Sequence, residues 1–275
     1  MKKLMKNALL VLLSAAMLLS VTACHGNNAS SGAAGSSSSA GTASGNGTAS
    51  GGTSSGVTVS GAVSRPPVII KKSPYVVKTV DYKYDKNNRS YRASYPQLSS
   101  KDANYNAVND LLKKSAMQTI SSLGTSTSAK KVGVKVSDHV SYKGDNFLSV
   151  TFRESVKNEG AKDSTSTFRT VNYDLKNKKV VSVSDMIQKN SALLTAVQNA
   201  VKKQMTKKKA VGYTQAVLQS GIKSCSIYFK DDSLGISIPV SHALDDHKEL
   251  IVDYDNTSGF RTGNVAWNYF IKSKK

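Results

Sequence analysis

Apolar side chains recur at every second position in several stretches of the chain, and this alternation is typical of half-buried β-strands. The first stretch, YVVKTVDYKYDKNNRSYRASYPQL, alternates on both sides of Asn87 and Asn88 and predicts a β-hairpin that turns at this pair. Further strands are predicted in KVGVKVSDHVSYK, NFLSVTFRESV and STFRTVNYDL. A second hairpin is predicted across Asp231 and Asp232, KELIVDYD predicts a closing strand, and VAWNYFI is a candidate for one more.

The alternation also predicts which strand side chains share a face. In KVGVKVSDHVSYK, His139 falls opposite the apolar positions and should be exposed. The apolar face of this strand is predicted to carry Val132, Val134, Val136, Val140 and Tyr142. Cys225 alternates with Ile227 and Phe229, so we interpret it as a small buried hydrophobic residue.

Two other stretches repeat their apolar side chains every three or four residues, as amphipathic helices do. The first predicted helix ends at Gly124 and has Leu112 at the centre of its apolar stripe. The second, from about residue 191 to 207, has Val197 and Val201 in that position, and GYTQAVLQSGIK predicts a short third helix. Strands interrupted by two main helices indicate an α+β fold, in which a largely antiparallel sheet packs against those helices.

The first 23 residues are expected to be a bacterial lipoprotein signal peptide. Lys2, Lys3 and Lys6 precede an apolar run that is shorter than the about 20 residues of a membrane-spanning helix. The run ends in Val-Thr-Ala-Cys, which resembles the lipobox in which the cysteine is lipidated. We therefore expect Cys24 to anchor the mature chain to the extracytoplasmic face of the cell membrane. The alternative is an ordinary signal peptide with an incidental cysteine.

Residues 24–64 are expected to form a flexible tether. From residue 26 to residue 64 the chain has no ionisable side chain and consists mostly of Gly, Ser, Ala and Thr, which cannot bury enough apolar surface to offset the ordering entropy. Beyond the tether, a small N-terminal α+β module is expected at 65–128 and a second α+β domain at 129–275. The sequence leaves open whether these two regions share one core.

The folded part of the chain is strongly basic. The chain has 38 Lys and Arg against 18 Asp and Glu, a net charge of +20, and removal of the three signal-peptide lysines leaves +17. This charge favours anionic partners, although solubility alone is the alternative explanation. The lysines are spread along the sequence, with only short runs such as Lys207, Lys208 and Lys209.

Two stretches resemble known bacterial extracytoplasmic families. YDKNNRSYRASYPQLSS with YNAVNDLLKKSA is similar to the small module that precedes peptidoglycan deacetylases of the PdaC type. The later stretch from NFLSVTFRESV to KELIVDYD resembles the RsiV-like extracellular domain, and the likeness covers roughly residues 75 to 258. Its most specific motif comprises Tyr173, Asp174, Leu175, Lys179, Asp185, Met186 and Ile187.

The chain also departs from these families. The loop NEGAKDSTSTFRT keeps Gly160 and Ala161 of a family motif but has no histidine. The RsiV-type anti-sigma factors have a transmembrane helix and a cytoplasmic sigma-binding segment, and we expect neither here. The deacetylases have a separate metal-dependent catalytic domain, and we expect no such domain here. The resemblance therefore implies an extracytoplasmic fold without the anti-sigma or deacetylase activity.

Candidate chemistry is sparse. His242, Asp246 and His247 could in principle bind a metal, but two histidines five residues apart do not share a helical face, so a solvated loop is the preferred interpretation. No G-x-S-x-G elbow, P-loop or dinucleotide motif is present, and we expect no cofactor. Trp267 and exposed tyrosines are candidates for stacking on sugar rings, although strand tyrosines are more often part of a core.

These observations favour a lipid-anchored, non-enzymatic module of the cell envelope. Its expected partners are the membrane, through the lipid on Cys24, and peptidoglycan or an anionic wall polymer, contacted through Lys207, Lys208, Lys209 and Trp267. No nucleic acid partner is expected. The first alternative is a protein-binding sensor or inhibitor related to the lysozyme-sensing domains. The second is a metal-dependent hydrolase that uses the histidine-rich loop.

Overall fold

A six-stranded sheet forms the centre of the part of the chain that the computed structural model describes, residues 74–271. Its strands are β1 (Val76–Lys86), β2 (Arg89–Ser99), β3 (Val132–Lys143), β4 (Phe147–Asn158), β5 (Thr165–Asp174) and β6 (Lys179–Val180). They lie in the sheet in chain order. Neighbouring strands are antiparallel except β2 and β3, which are parallel because helix α1 (Asn106–Leu123) carries the chain back between them.

The C-terminal half of the described residues adds a small sheet and further helices. The sheet is antiparallel, with β7 (Ser226–Phe229), β8 (Ser233–Pro239) and β9 (His247–Asp253) in that order. The helices are α2 (Val183–Met186), α3 (Ser191–Gln204), α4 (Lys207–Ala210) and α5 (Gln215–Lys223). The α+β class and the largely antiparallel sheet are confirmed, and α5 is the short third helix that the sequence predicted.

The first hairpin turns where the sequence predicted. Asn87 and Asn88 have φ angles of 56° and 59°, in the left-handed region that asparagine tolerates better than most residues. The turn is also fastened to the segment that leads into β3. The Val132 amide donates to the Asn88 carbonyl at 2.9 Å, and the Asn88 side chain donates to the Ser128 carbonyl at 3.0 Å.

Two clusters of buried side chains stabilise the fold. One lies between α1 and the large sheet and includes Leu112, which is fully buried. The other lies around α3, α5 and the small sheet and includes Val197 and Val201. All three are the core positions that the helical periodicity predicted. Phe147 belongs to the second cluster and Leu148 to the first, so adjacent residues of β4 contribute to both.

The large sheet crosses the boundary that the sequence placed at residue 128. Arg89 of β2 pairs with Val132 of β3, so strands from both predicted regions lie side by side in one sheet. All the described residues, 74–271, belong to one compact unit.

A bulge in β3 corrects one prediction about the faces of this strand. The register with β4 shifts between Val140 and Tyr142. Val134 and Val136 belong to the cluster with α1, whereas Tyr142 packs against the other cluster. The prediction that Tyr142 shares the face of the valines is therefore wrong, because an extra residue in one strand reverses the side on which later side chains lie. His139 is exposed, as predicted.

The prediction of a strand in VAWNYFI is also wrong. Val265–Tyr269 is a 3₁₀-helix, which begins at Asn264, and the Asn264 side chain accepts a hydrogen bond from the Ala266 amide at 2.9 Å. Trp267, Phe270 and Ala266 pack into the second cluster from this helix. The run of apolar residues therefore forms a short helical segment whose side chains pack into the core. The pattern of apolar residues in so short a run does not distinguish such a segment from a strand.

Candidate functional site

Three cationic side chains lie side by side on the face of the large sheet that α1 does not cover. Strand pairing places Lys83 opposite Arg92 and Arg92 opposite Lys135. The strand neighbours of Arg92 and Lys135 are buried in the cluster with α1, so these two cations lie on the other face. Paired strands are about 5 Å apart, and like charges directly opposite each other destabilise a sheet. We call these three residues the cationic row.

One carboxylate partly offsets the cationic row. Asp85 accepts hydrogen bonds from both terminal nitrogens of Arg92, at 2.8 and 2.7 Å, and lies 3.8 Å from the Lys83 ammonium. The hydrogen bonds from Arg92 and then from Ser90 hold the pKa of Asp85 below its ordinary value. Lys135 makes no ion pair with any residue from 74 to 271. The row therefore keeps an excess of positive charge, and its guanidinium group is already occupied.

A cleft of about 550 Å³ opens on the same face, at the end of the sheet where the first hairpin turns. Gly133 lies at its floor, between Ser90 of β2 and Lys157 of β4 in the strand pairing. A Cβ atom at Gly133 would meet its nearest neighbours only at 3.8 to 4.0 Å, so the sheet has a small notch here. Lys86 and the other lysines that line the cleft add positive charge at its rim.

The two acidic side chains that line the cleft are hydrogen-bonded to the protein. Glu159 accepts from the backbone amide of Lys131 at 2.9 Å, and Asp85 is held by Arg92. Lys157 donates to the Lys162 carbonyl at 2.7 Å and makes no ion pair with a described residue. The cleft and the cationic row together form a continuous, mainly basic surface across β1, β2, β3 and the end of β4. We call it the cationic face.

A second group of polar residues marks the boundary between the two sheets. Arg153 of β4 donates to both carboxylate oxygens of Glu249 on β9, at 2.9 and 2.6 Å. Tyr228 donates to the same carboxylate at 3.1 Å, and the Nε2 atom of His247 lies 3.7 Å from it. Burial alone would raise the pKa of Glu249, but His247 and Arg153 favour the carboxylate and lower the pKa to about 2.

This boundary group has the properties of a structural ion pair. Burial, and then the charge of Glu249, raise the pKa of Tyr228, so its hydroxyl stays protonated and donates. The ring of His247 stacks on Phe168, with centroids 5.3 Å apart. The cluster joins strands of both sheets and leaves the cationic row on the uncovered part of the large sheet.

The structure places the lysine run at a different location from the cationic face. Lys207, Lys208 and Lys209 form most of α4 and are exposed. None of them belongs to the cationic row or lines the cleft. The sequence therefore identified the charge excess correctly, but strand register concentrates a different set of cations on one surface.

Trp267 is not placed to stack on a sugar ring. Its side chain is only 5% exposed, and its indole nitrogen donates to the Met186 carbonyl at 2.9 Å. It packs edge-on against Phe229, with ring centroids 5.7 Å apart. The expectation that Trp267 contacts ligand is corrected for this reason: the ring is part of the second hydrophobic cluster.

The histidine-rich loop does not form a metal centre in the described residues. His242 and Asp246 contact each other at 3.0 Å, whereas His247 is directed to Glu249. Asp246 also accepts from the Ser166 amide at 2.6 Å. No group of three or more potential metal-ligating side chains occurs between residues 74 and 271.

The predicted membrane anchor lies outside the described residues. Cys24, the signal peptide and the tether all precede residue 74. Among residues 74–271, no helix is both long enough and apolar enough to cross a membrane.

Sequence reasoning missed the cationic row for a clear reason. Lys83 and Arg92 belong to the first hairpin, but Lys135 follows much later in the chain, after α1. Each of the three residues stands singly between apolar neighbours, so they form no local run of charge. Alternation does predict that Lys83, Arg92 and Lys135 point away from the core. Their alignment also requires the parallel pairing of β2 with β3, which no local pattern specifies.

Six solved chains are similar in structure to this chain, and two DUF3298 family proteins are among them. No protein-family profile matches the sequence, and no curated protein matches it. A DUF3298 family protein from Pseudomonas aeruginosa is 10% identical, with 70% of this chain and 96% of that chain covered and a TM-score of 0.47. A DUF3298 family member from Bacteroides fragilis is 14% identical, with 74% and 100% covered and a TM-score of 0.49. At these values the likenesses support no conclusion about ligand, activity or partner.

Proposed function

We propose that this protein is a lipid-anchored, non-enzymatic module of the bacterial cell envelope that binds an anionic wall polymer through its cationic face. The observation that carries the proposal is the cationic row, in which Lys83, Arg92 and Lys135 are directly opposed on three neighbouring strands. Such a row destabilises the free sheet, and a bound polyanion relieves the repulsion. The row is therefore more favourable in a complex than in the free protein.

The location of the cationic face supports the same proposal. The small sheet and the Arg153–Glu249 pair occupy the side of the large sheet towards β4 and β5, and the row occupies β1, β2 and β3. An exposed surface that spans several strands suits an extended polymer better than a small molecule. The net charge of the folded part adds long-range attraction that steers a polyanion to it.

The proposed anchor gives this binding a location. A lipid on Cys24 would hold the protein at the membrane, and residues 24–64 would let the folded part reach on the order of 35 Å into the envelope. The resemblance of the sequence to the RsiV-like and PdaC-associated extracytoplasmic modules supports the same location. A tethered binding module would connect the membrane with the wall without catalysing a reaction.

Sedimentation with purified cell walls tests the proposal. The full-length protein in detergent should sediment with the walls at low salt, and the triple variant Lys83→Gln, Lys135→Gln, Lys157→Gln should bind at least about tenfold more weakly because it loses three charges from one surface. The matched control is Lys207→Gln, Lys208→Gln, Lys209→Gln, which removes the same charge from exposed positions on α4. We expect the control to lose only part of the binding. Equal losses in the two triples would refute the cationic face as the site, and no sedimentation at low salt would refute polymer binding.

A further inference from the structure

We infer that the polymer bound by the cationic face is a phosphodiester polymer of a short polyol, and that the Gly133 cleft holds one of its repeat units. This inference rests on the proposed function, because it names the ligand chemistry of the same surface. Three features of the cationic face carry it: the type of cation that is available, the spacing of those cations, and the shape of the cleft.

Of the cations on this surface, the lysines keep free donors: Lys157 uses one ammonium hydrogen on the Lys162 carbonyl, and Lys83 lies 3.8 Å from Asp85. Arg89, which also lines the cleft, donates to the Ser126 carbonyl and the Tyr91 hydroxyl. Both terminal nitrogens of Arg92 are engaged by Asp85, so this guanidinium cannot also form the two-point contact that suits a planar carboxylate. Lys83, Lys135 and Lys157 present compact ammonium groups from three strands. A phosphodiester carries its charge on a tetrahedral group and accepts hydrogen bonds from several directions. Separate ammonium groups therefore match a phosphodiester better than they match a carboxylate.

The spacing of the lysines favours a polymer with closely repeated charges. Adjacent strands are about 5 Å apart, and successive residues on one face of a strand are about 7 Å apart. Lys157 lies opposite Gly133, which is two residues before Lys135, so Lys135 and Lys157 are one strand and one row apart. A polyol phosphodiester has one charge for each short repeat and can engage such neighbouring cations in succession. A glycan with a uronate in every second sugar places its charges farther apart.

The cleft is shaped to hold the uncharged part of a repeat unit. Gly133 leaves the floor without a side chain, and the aliphatic stems of Lys86, Lys131 and Lys157 contribute apolar surface around it. The carbon atoms of a polyol can contact this surface while the flanking phosphates meet the ammonium groups.

Titration of the full-length protein in detergent with three soluble polymers tests this inference. The probes are a glycerol phosphodiester oligomer, a polyglutamate with the same number of charges, and hyaluronate, all at one ionic strength. We expect the phosphodiester to bind at least about tenfold more tightly than either carboxylate polymer. Polyglutamate carries its charges more densely along the chain, so attraction by charge density alone would give the opposite order.

Substitutions at Gly133 test the role of the cleft. Gly133→Val should fill the notch and reduce the preference for the phosphodiester to less than about threefold, while general polyanion binding persists because the lysines remain. Gly133→Ala fits without a clash and should have a smaller effect in the same direction, which keeps the test valid if the valine variant does not fold. Thermal melting checks that each variant is folded.

The outcomes separate this inference from the proposed function. Equal affinity for phosphodiester and polyglutamate would overturn the inference and leave binding of anionic polymers in place. A phosphodiester preference that survives Gly133→Val and Gly133→Ala would overturn the role of the cleft. Failure of all three polymers to bind at low salt would overturn the inference and the proposed function together.

Discussion

At the residue scale, one carboxylate at the contact between the two sheets is shared by several partners. Glu249 accepts from Arg153 of the large sheet and from Tyr228 of the small sheet. Gly235 is opposite Tyr228, and a Cβ atom there would come within 2.1 Å of the tyrosine ring. The glycine therefore allows the ring to lie flat over β8 and its hydroxyl to reach Glu249.

The lowered pKa of Glu249 predicts how stability changes with acid. The folded-state pKa of about 2 is below the unfolded-state value of about 4.3, so the stabilisation is complete above that value and is lost as the pH falls towards 2. Glu249→Gln should lower the free energy of unfolding by about 1–3 kcal/mol at pH 7. Denaturant titrations at several pH values should show the difference from wild type shrinking between about pH 4.3 and pH 2.

A charge-matched variant provides the control for this experiment. Asp255→Asn alters an exposed carboxylate that makes no ion pair with a described residue, and it should leave the unfolding midpoint nearly unchanged at pH 7. A constant difference between wild type and Glu249→Gln from pH 7 to pH 2 would contradict the assignment of the acid sensitivity to this carboxylate.

At the element scale, α1 makes the parallel pairing of β2 with β3 possible. The helix covers one face of the large sheet with Val108, Leu112, Ala116 and Ile120. These positions recur every four residues, so they form one stripe along the helix. Because α1 returns the chain to the same end of the sheet, β3 begins beside the start of β2, and this register aligns Arg92 with Lys135.

The packing of α1 predicts a large effect for one truncation. Leu112 is fully buried, so Leu112→Ala should reduce the free energy of unfolding by about 2–5 kcal/mol through lost apolar contact and the cavity left behind. Lys113→Ala, on the exposed side of the same helix, is the matched control and should change stability by less than about 0.5 kcal/mol. A loss below about 0.5 kcal/mol for Leu112→Ala in a denaturant titration would mean that this face of the helix is not part of the core.

At the scale of the whole molecule, charge and anchoring act together in the proposed function. The folded part has a large positive excess, and the proposed tether places it near polymers fixed in the wall. Attraction between exposed charges is screened over about 8 Å at physiological ionic strength and over about 3 Å at 1 M. Binding through the exposed lysines of the cationic face must therefore weaken as salt is added.

Salt dependence distinguishes this mechanism from binding by aromatic stacking. We expect wall binding to fall at least about tenfold between low salt and about half-molar salt, because the cationic face acts through screened charges. Sedimentation over a salt series measures this. Binding that stays constant over the series would refute the electrostatic mechanism and would point to partly exposed tyrosines such as Tyr105.

The proposed anchor has its own test. Cys24→Ser should release the protein from the membrane fraction, because lipid chains contribute about 0.8 kcal/mol for each buried CH₂ group and serine cannot form the thioether. Fractionation in high salt separates lipid anchoring from attraction to anionic lipids. A Cys24→Ser protein that remains with membranes in high salt would show that another part of the chain holds it there.

Local sequence patterns predicted most of the strands and helices and many of the core positions. Alternation at period two and repetition at three to four residues depend on local geometry, so they identified both hairpins, the main helices and buried residues such as Leu112 and Val197. The positive charge of the folded part also follows from composition alone. One extra residue in β3 reverses the side on which the later side chains lie, and alternation therefore assigned Tyr142 to the wrong face.

Which charges lie together depends on contacts that form only in the folded chain. The cationic row requires the register of three strands, and register is set by side-chain packing and by the helix that joins β2 to β3. The same packing buries Trp267 and directs His247 towards Glu249, whereas His242 contacts Asp246. Contacts between residues that are distant in the chain depend on which face of one strand or helix packs against which face of another. A sequence pattern predicts the apolar face of each element but not the element that packs against it.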